Sequence, residues 1–225
     1  VAFCVPTGNF GDVYAGYVAK RMGLPVSRFV VASNSNDILT RALASGDHTL
    51  GGVEPTMSPS MDIQVSSNFE RLLYDAYGRD GGAIRGLMRQ LKSDRGFTID
   101  KGPLDAIRRD FVGCRVDETQ TLDTLAETFR ATEMLVDPHT AVGLHAAEQA
   151  RAAGEVDPAT PLVTLATAHP AKFPDAVEKA STHRPALPEH LADLYDREER
   201  YDRLPAELDT VMAYIRDRTH AAAGV

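Results

Sequence analysis

The residues Gly8-Asn9-Phe10-Gly11 have the types and spacing to hold an anion. An apolar run, Val1-Ala2-Phe3-Cys4-Val5, reads as a buried strand that stops at Pro6. From Val13 the apolar residues Val13, Tyr14, Tyr17, Val18 and Met22 recur at helical spacing. A strand, a turn with two glycines and a helix start together form an anion site. Glycine lets backbone N–H groups come close to a guest, and the helix N-terminus adds unpaired donors and about half a positive charge. A phosphate is the natural guest. The same spacing also serves as a plain tight connection between strand and helix, so spacing alone leaves both readings open.

Other polar residues cluster at irregular turns. Ser58, Ser60 and Asp62 surround Pro59, and Ser67 and Asn68 precede an apolar-periodic stretch that they are expected to cap. Asp137-Pro138-His139-Thr140 reads as a helix entry capped by Asp137. Asn36 and Asp37 follow a short buried strand expected over Arg28 to Ser33 and are cleft-edge candidates by position. Thr167, His169 and Lys172 follow a second clear buried strand, Pro161–Ala166. Asp12 is placed as a residue of the first helical turn pointing away from the anion, because its carboxylate would repel a phosphate.

The wording of these segments is more specific than their spacing. Val5-Pro6-Thr7-Gly8-Asn9-Phe10-Gly11-Asp12 resembles the cofactor-phosphate loop of the threonine synthases, pyridoxal-phosphate enzymes of fold type II. Three further segments resemble the same family: Ser58-Pro59-Ser60-Met61-Asp62-Ile63 running on to Ser66-Ser67-Asn68-Phe69-Glu70-Arg71, Asp137 to Gly143, and Ala166-Thr167-Ala168-His169-Pro170-Ala171-Lys172-Phe173. They stand in the family's order and span most of the chain, in the pattern of its longer, bacterial and fungal type. The resemblance implies that Gly8, Asn9, Phe10 and Gly11 hold the phosphate of pyridoxal 5'-phosphate and that Thr167 meets its ring nitrogen. It implies that Ser60, Asp62, His169 and Lys172 face the substrate, O-phospho-L-homoserine, which with water becomes L-threonine and phosphate. His169 and Lys172 equally suit a structural turn. The Schiff-base lysine of the family lies upstream of the phosphate loop, so none of the catalytic residues is expected within these positions and the piece alone is expected to be inactive. Alternatives are another fold type II lyase, such as a serine/threonine dehydratase, or a non-catalytic homologue that binds a phospho-ligand.

The alternation of strand and helix at the start predicts an α/β fold, a parallel sheet covered by helices, with ligands at the carboxyl ends of the strands. The resemblance makes this a three-layer αβα domain of the fold type II class, incomplete here, with a helical insertion and a C-terminal helical tail. The expected division is 1–77 for the phosphate-loop portion, 78–120 for a small inserted subdomain, 121–184 for a return to the large domain and 185–225 for the tail. Gly46 to Thr56 reads as a loop, and Gly81 and Gly82 as helix breakers.

Composition narrows the function classes. The chain has 225 residues, 25% charged and 43% hydrophobic, with a formal net charge of −8. No basic run is present, which argues against nucleic acid as a partner. No apolar stretch approaches the roughly 20 residues that cross a bilayer. Cys4 and Cys114 form no metal pattern, and a reduced, cytoplasmic setting is expected. A strand beginning at Val1 suggests the C-terminal part of a longer polypeptide, whose N-terminal part would be its partner.

Overall fold

A computed structural model describes residues 1–219. It forms two compact units, Val1–Ala186 and Leu187–Val225.

The first unit is built on a parallel sheet of four strands in the order β5-β2-β1-β6. These are β1 (Ala2–Pro6), β2 (Arg28–Ser33), β5 (Phe111–Arg115) and β6 (Leu162–Thr164). Each element follows from its sequence. In β1 and β2 every residue but the first of β2 and Phe3 is buried, as parallel strands covered on both faces require. Alternate side chains then serve two cores. Val5, Phe29, Val31 and Phe111 point into one; Ala2, Cys4, Val30 and Ala32 point into the other.

The first core is aromatic. Helix α1 (Gly11–Arg21) contributes Val13 and Tyr17, and α2 (Ile38–Ser45) contributes Ile38, Leu39, Ala42 and Leu43. Phe29 and Phe111 stack at 5.3 Å between centroids, and Phe10 meets Phe111 at 6.0 Å. The second core is small-residue. It packs α7 (Pro138–Ala152) on the sheet through Val142, Ala146, Ala147 and Ala150. Gly143 permits that closeness, since a Cβ there would come within 2.9 Å of Pro6 Cγ. Helix α6 (Glu118–Thr132) packs beside α7, opened by a capping box between Asp117 and Gln120. The expected α/β fold with helices on both faces of a parallel sheet is therefore the fold observed.

Several boundaries differ from the sequence reading. The stretch 78–120 does not stand apart from the sheet: Phe111–Arg115 pairs in parallel with β2. The rest of it forms α4 (Gly81–Ser93), the short strand β4 (Gly96–Thr98) and α5 (Lys101–Arg108). Gly81 and Gly82 begin α4 rather than break a helix, because the Asp80 carboxylate accepts from the amides of Gly82 and Ala83. The loop expected over 46–56 holds a strand, β3 (Asp47–Thr49), antiparallel to β4. A remaining helix, α3 (Phe69–Ala76), buries Phe69, Leu72 and Leu73, and α8 (Pro174–Ser181) buries Val177.

The second unit contains two short 3-10 turns, Glu189–Leu191 and Leu194–Asp196, and helix α9 (Leu208–Arg218). Arg218 lies 3.7 Å from the centroid of the Tyr214 ring, and the Tyr214 hydroxyl donates to Asp202. No helix among the described residues is long and apolar enough to cross a membrane.

Candidate functional site

The loop after β1 is held by its carbonyls and leaves its amides unused. The Thr7 amide closes onto the Ala32 carbonyl at 2.9 Å, and its hydroxyl onto the Val5 carbonyl at 2.6 Å. Ser66 Oγ donates to the Gly8 carbonyl at 2.9 Å. The Asn68 side chain donates to the Asn9 carbonyl at 2.8 Å, and its amide to the same oxygen at 3.2 Å. Among the described residues the amides of Gly8, Asn9, Phe10 and Gly11 donate to no acceptor. They line a concavity of about 240 Å³ formed by Val5 to Val13.

Two side chains fix the loop's shape. Phe10 sits at φ 62, ψ 15 as the residue before α1, a left-handed conformation uncommon for a bulky side chain. Its ring is 1% exposed and meets Phe69 edge-on at 5.4 Å, so core packing holds the backbone there. Gly8 packs against the Ser60–Met61 peptide; a Cβ at Gly8 would overlap the Ser60 carbonyl oxygen. Helix α1 begins without any side-chain cap, and its first-turn Asp12 is exposed.

The remaining sequence-derived candidates are found in different states. β6 runs parallel to β1 with Cys4 opposite Thr164, so residues 165–169 leave the sheet at the same end as Thr7–Gly11. Thr167 is exposed, and its hydroxyl makes no hydrogen bond among the described residues. His169 is exposed with Nδ1 accepting from the Ala171 amide at 3.1 Å, which makes it the cap of the Pro170–Lys172 turn. Lys172 is exposed, its Nζ 5.9 Å from the Phe173 ring centroid. Ser60 is exposed at the side chain.

Asp62 is committed to the protein itself. Its carboxylate accepts from Asn34 Nδ2 (2.8 Å), Asn36 Nδ2 (3.0 Å), Thr56 Oγ1 (2.6 Å) and the Thr56 amide (2.8 Å). Asn34 and Asn36 are buried, so Asn36 is part of this network and not of a cleft edge. The network fastens the segment 54–62 to the carboxyl end of β2. Asp37 is taken up by Arg41 at 3.0 Å and Arg115 at 3.8 Å.

Three residues that matter for the loop carry no local sequence signal. Ser66 and Asn68 act on carbonyls about 58 positions away, which no spacing rule reaches. Asn68, expected as the cap of α3, makes no side-chain cap bond to that helix, and Ser67 is exposed without one. The third is His139, only 3% exposed, whose Nε2 accepts from the Ser60 amide at 3.2 Å. Asp137 is the expected cap, accepting from the amides of His139 and Thr140. Burial would push its carboxyl up, but hydrogen bonds from the His139 ring and the Thr140 hydroxyl outweigh that and hold it below the ordinary 3.8. Both cysteines are free and buried; desolvation pushes Cys114 up to about 11 and Cys4 further. No His, Cys, Asp and Glu cluster suited to a metal occurs among the described residues.

Comparison with known proteins bears on this geometry. Residues 140–215 match the family model described as threonine synthase, C-terminal. Threonine synthase of Pseudomonas aeruginosa is 50% identical over 216 residues, 96% of this chain and 45% of that protein. Threonine synthase of Saccharomyces cerevisiae is 41% identical over 215 residues. Among solved structures, the PLP-bound threonine synthase of Brucella melitensis superposes with a TM-score of 0.88 at 50% identity, covering 98% of this chain and 46% of that one. Yeast threonine synthase gives 0.85 at 36% identity, covering 100% of this chain and 48% of that one. The chain thus spans about half the length of the relatives it matches. In sequence and in fold it corresponds to the C-terminal region of threonine synthase.

Proposed function

We propose that this region grips the phosphate of pyridoxal 5'-phosphate and borders the substrate in a protein that converts O-phospho-L-homoserine and water to L-threonine and phosphate. The observation that supports it most is the row of four unpaired amides at Gly8–Gly11, at the carboxyl end of β1 and the uncapped start of α1. That donor set fits a phosphate monoester. It offers several N–H groups to several oxygens, at the positive end of a helix, with no carboxylate bonded into the loop. Gly8 keeps the concavity open and tight against Ser60.

The cofactor, when bound, supplies an electron sink for making and breaking bonds next to the amino group. The rest falls to residues of the chain. Gly8, Asn9, Phe10 and Gly11 bind and orient the phosphate. Thr167, exposed and leaving the sheet at the same end as the loop, offers a neutral partner to the ring nitrogen. His169 and Lys172 border the substrate side, Lys172 as a point charge for an anionic group. Ser60 lies over the loop, while Asp62 serves by holding the Ser58–Ile63 turn rather than by reaching substrate. The identity of the relatives as threonine synthases favours this reading over a serine/threonine dehydratase or a non-catalytic binder. The buried, reduced thiols suit a cytoplasmic setting.

Two measurements test the reading. The full-length protein should release phosphate from O-phospho-L-homoserine and form L-threonine; deamination of serine without phosphate release would sink it. Residues 1–225 alone should turn over nothing, because the lysine that bonds the cofactor is expected elsewhere. Stoichiometric, borohydride-stable labelling of a lysine in this piece by pyridoxal phosphate would overturn that expectation.

A further inference from the structure

His139, with a buried side chain, contacts three of the segments around the candidate site. Its Nδ1 lies 2.8 Å from Asp137 Oδ1, and the acceptor there is a carboxylate, so Nδ1 carries the proton. That leaves Nε2 as an acceptor, and the Ser60 amide donates to it at 3.2 Å. The Ser60 carbonyl, in the next peptide group of the chain, lies against Gly8. On its other side the ring packs on Phe173 at 4.7 Å between centroids, and Phe173 closes the turn that carries His169 and Lys172. One imidazole thus contacts the start of α7, the Ser58–Ile63 turn and the 169–173 turn, and the Ser58–Ile63 turn itself abuts the phosphate loop at Gly8.

We propose that Asp137 and His139 form a positioning pair. Asp137 fixes the tautomer and ring plane of His139, and His139 fixes the Ser60 backbone, whose carbonyl abuts Gly8, so that the phosphate loop keeps its shape. The inference rests on the phosphate-binding reading above. A cap needs only the Asp137 carboxylate and the α7 amides; it has no need of an acceptor aimed at a peptide 79 positions away. Among the described residues, His139 Nε2 is the hydrogen-bond acceptor of that amide. Asp137 faces the ring from its own helix, Phe173 from the 169–173 turn and the Ser60 backbone from the third side.

The test uses the full-length protein with His139→Ala and His139→Gln, titrated with pyridoxal phosphate and, separately, with pyridoxal, which lacks the phosphate. His139→Ala should weaken pyridoxal phosphate by about tenfold, the scale of one lost buried acceptor, and pyridoxal by less than about twofold. His139→Gln, which restores an acceptor, should recover most of the loss. Equal weakening of both ligands, or no weakening of pyridoxal phosphate, overturns the proposal. If His139→Ala does not fold, His139→Phe, which keeps the ring volume without an acceptor, is read by the same ratio. Deuterium uptake by the ligand-free protein separates this proposal from the reading beneath it. Faster uptake in His139→Ala confined to residues 58–63 supports positioning, and unchanged uptake there overturns it. A wild-type protein that binds pyridoxal as tightly as pyridoxal phosphate overturns the phosphate reading itself.

Discussion

Two helices begin at the same end of the sheet and are finished in opposite ways. At α7 the Asp137 carboxylate is fully buried and accepts from the His139 and Thr140 amides, the Thr140 hydroxyl and the His139 ring. At α1 the preceding residue is Phe10, whose side chain makes no cap bond, and the amides from Gly8 to Gly11 have no partner among the described residues. Unpaired helix-start amides cost little while water reaches them, but a fold that can cap one start with a carboxylate has the means to cap both. On the reading proposed above, the open start is left for a guest from solution, while the closed one serves strength. The carbonyls of the open loop are fastened from behind by Ser66 and Asn68, so its disorder is not the reason for the empty amides.

Removing the closed cap should produce the largest change. Asp137→Ala strips several buried donors of their acceptor, and about 3 kcal/mol of stability should vanish in urea unfolding. The same residue gives the comparison a pH dependence. Because the folded carboxyl titrates below its ordinary 3.8, its contribution is fully present above that value and disappears as pH falls through the lower folded value. Asp137→Asn should flatten the acid limb of the stability profile; an identical limb in both proteins would refute the assignment.

A substitution at the open start should reverse the pattern. Gly8→Val drives a side chain into the Ser60 carbonyl, and pyridoxal phosphate binding by the full-length protein should drop about a hundredfold, roughly 2.7 kcal/mol, as measured by absorbance titration. Wild-type affinity in that variant would mean that the loop is not the phosphate grip. Asn68→Ala should cost about 1 kcal/mol in ligand affinity through the freed Asn9 carbonyl, with the helicity of α3 unchanged by circular dichroism. Ser67→Ala, on an exposed residue without a cap bond, should stay within about 0.5 kcal/mol of wild type in both measurements.

The part of this comparison written locally was legible in the sequence. Val1 to Val13 announces strand, turn and helix through residue types and period, and Asp137 before Pro138 announces a cap. What could not be read was which polar side chain answers which distant backbone. Asn68 looks like a helix cap because Asn usually is one, but its αR backbone and its reach to Asn9 assign it otherwise. Asp62 looks available until Asn34 and Asn36 arrive from the end of β2. Strand β3 is three residues long and holds a buried His48 stacked on Phe97, too little for a period to show. The expected subdomain at 78–120 failed at Phe111 because a five-residue strand gains its meaning only from the neighbour it pairs with.

The fastened carbonyls of the loop also govern how an anion is felt at a distance. A peptide is neutral; pinning its oxygen aims a dipole without adding charge, and the field of a dipole dies within a few ångströms. The chain around it carries a net −8, which repels an anion over the roughly 8–10 Å of a physiological Debye length. On this chain's own charge, attraction therefore begins only at contact. Salt would weaken the repulsion outside while leaving the grip inside almost untouched, the reverse of what a site built from arginines would show.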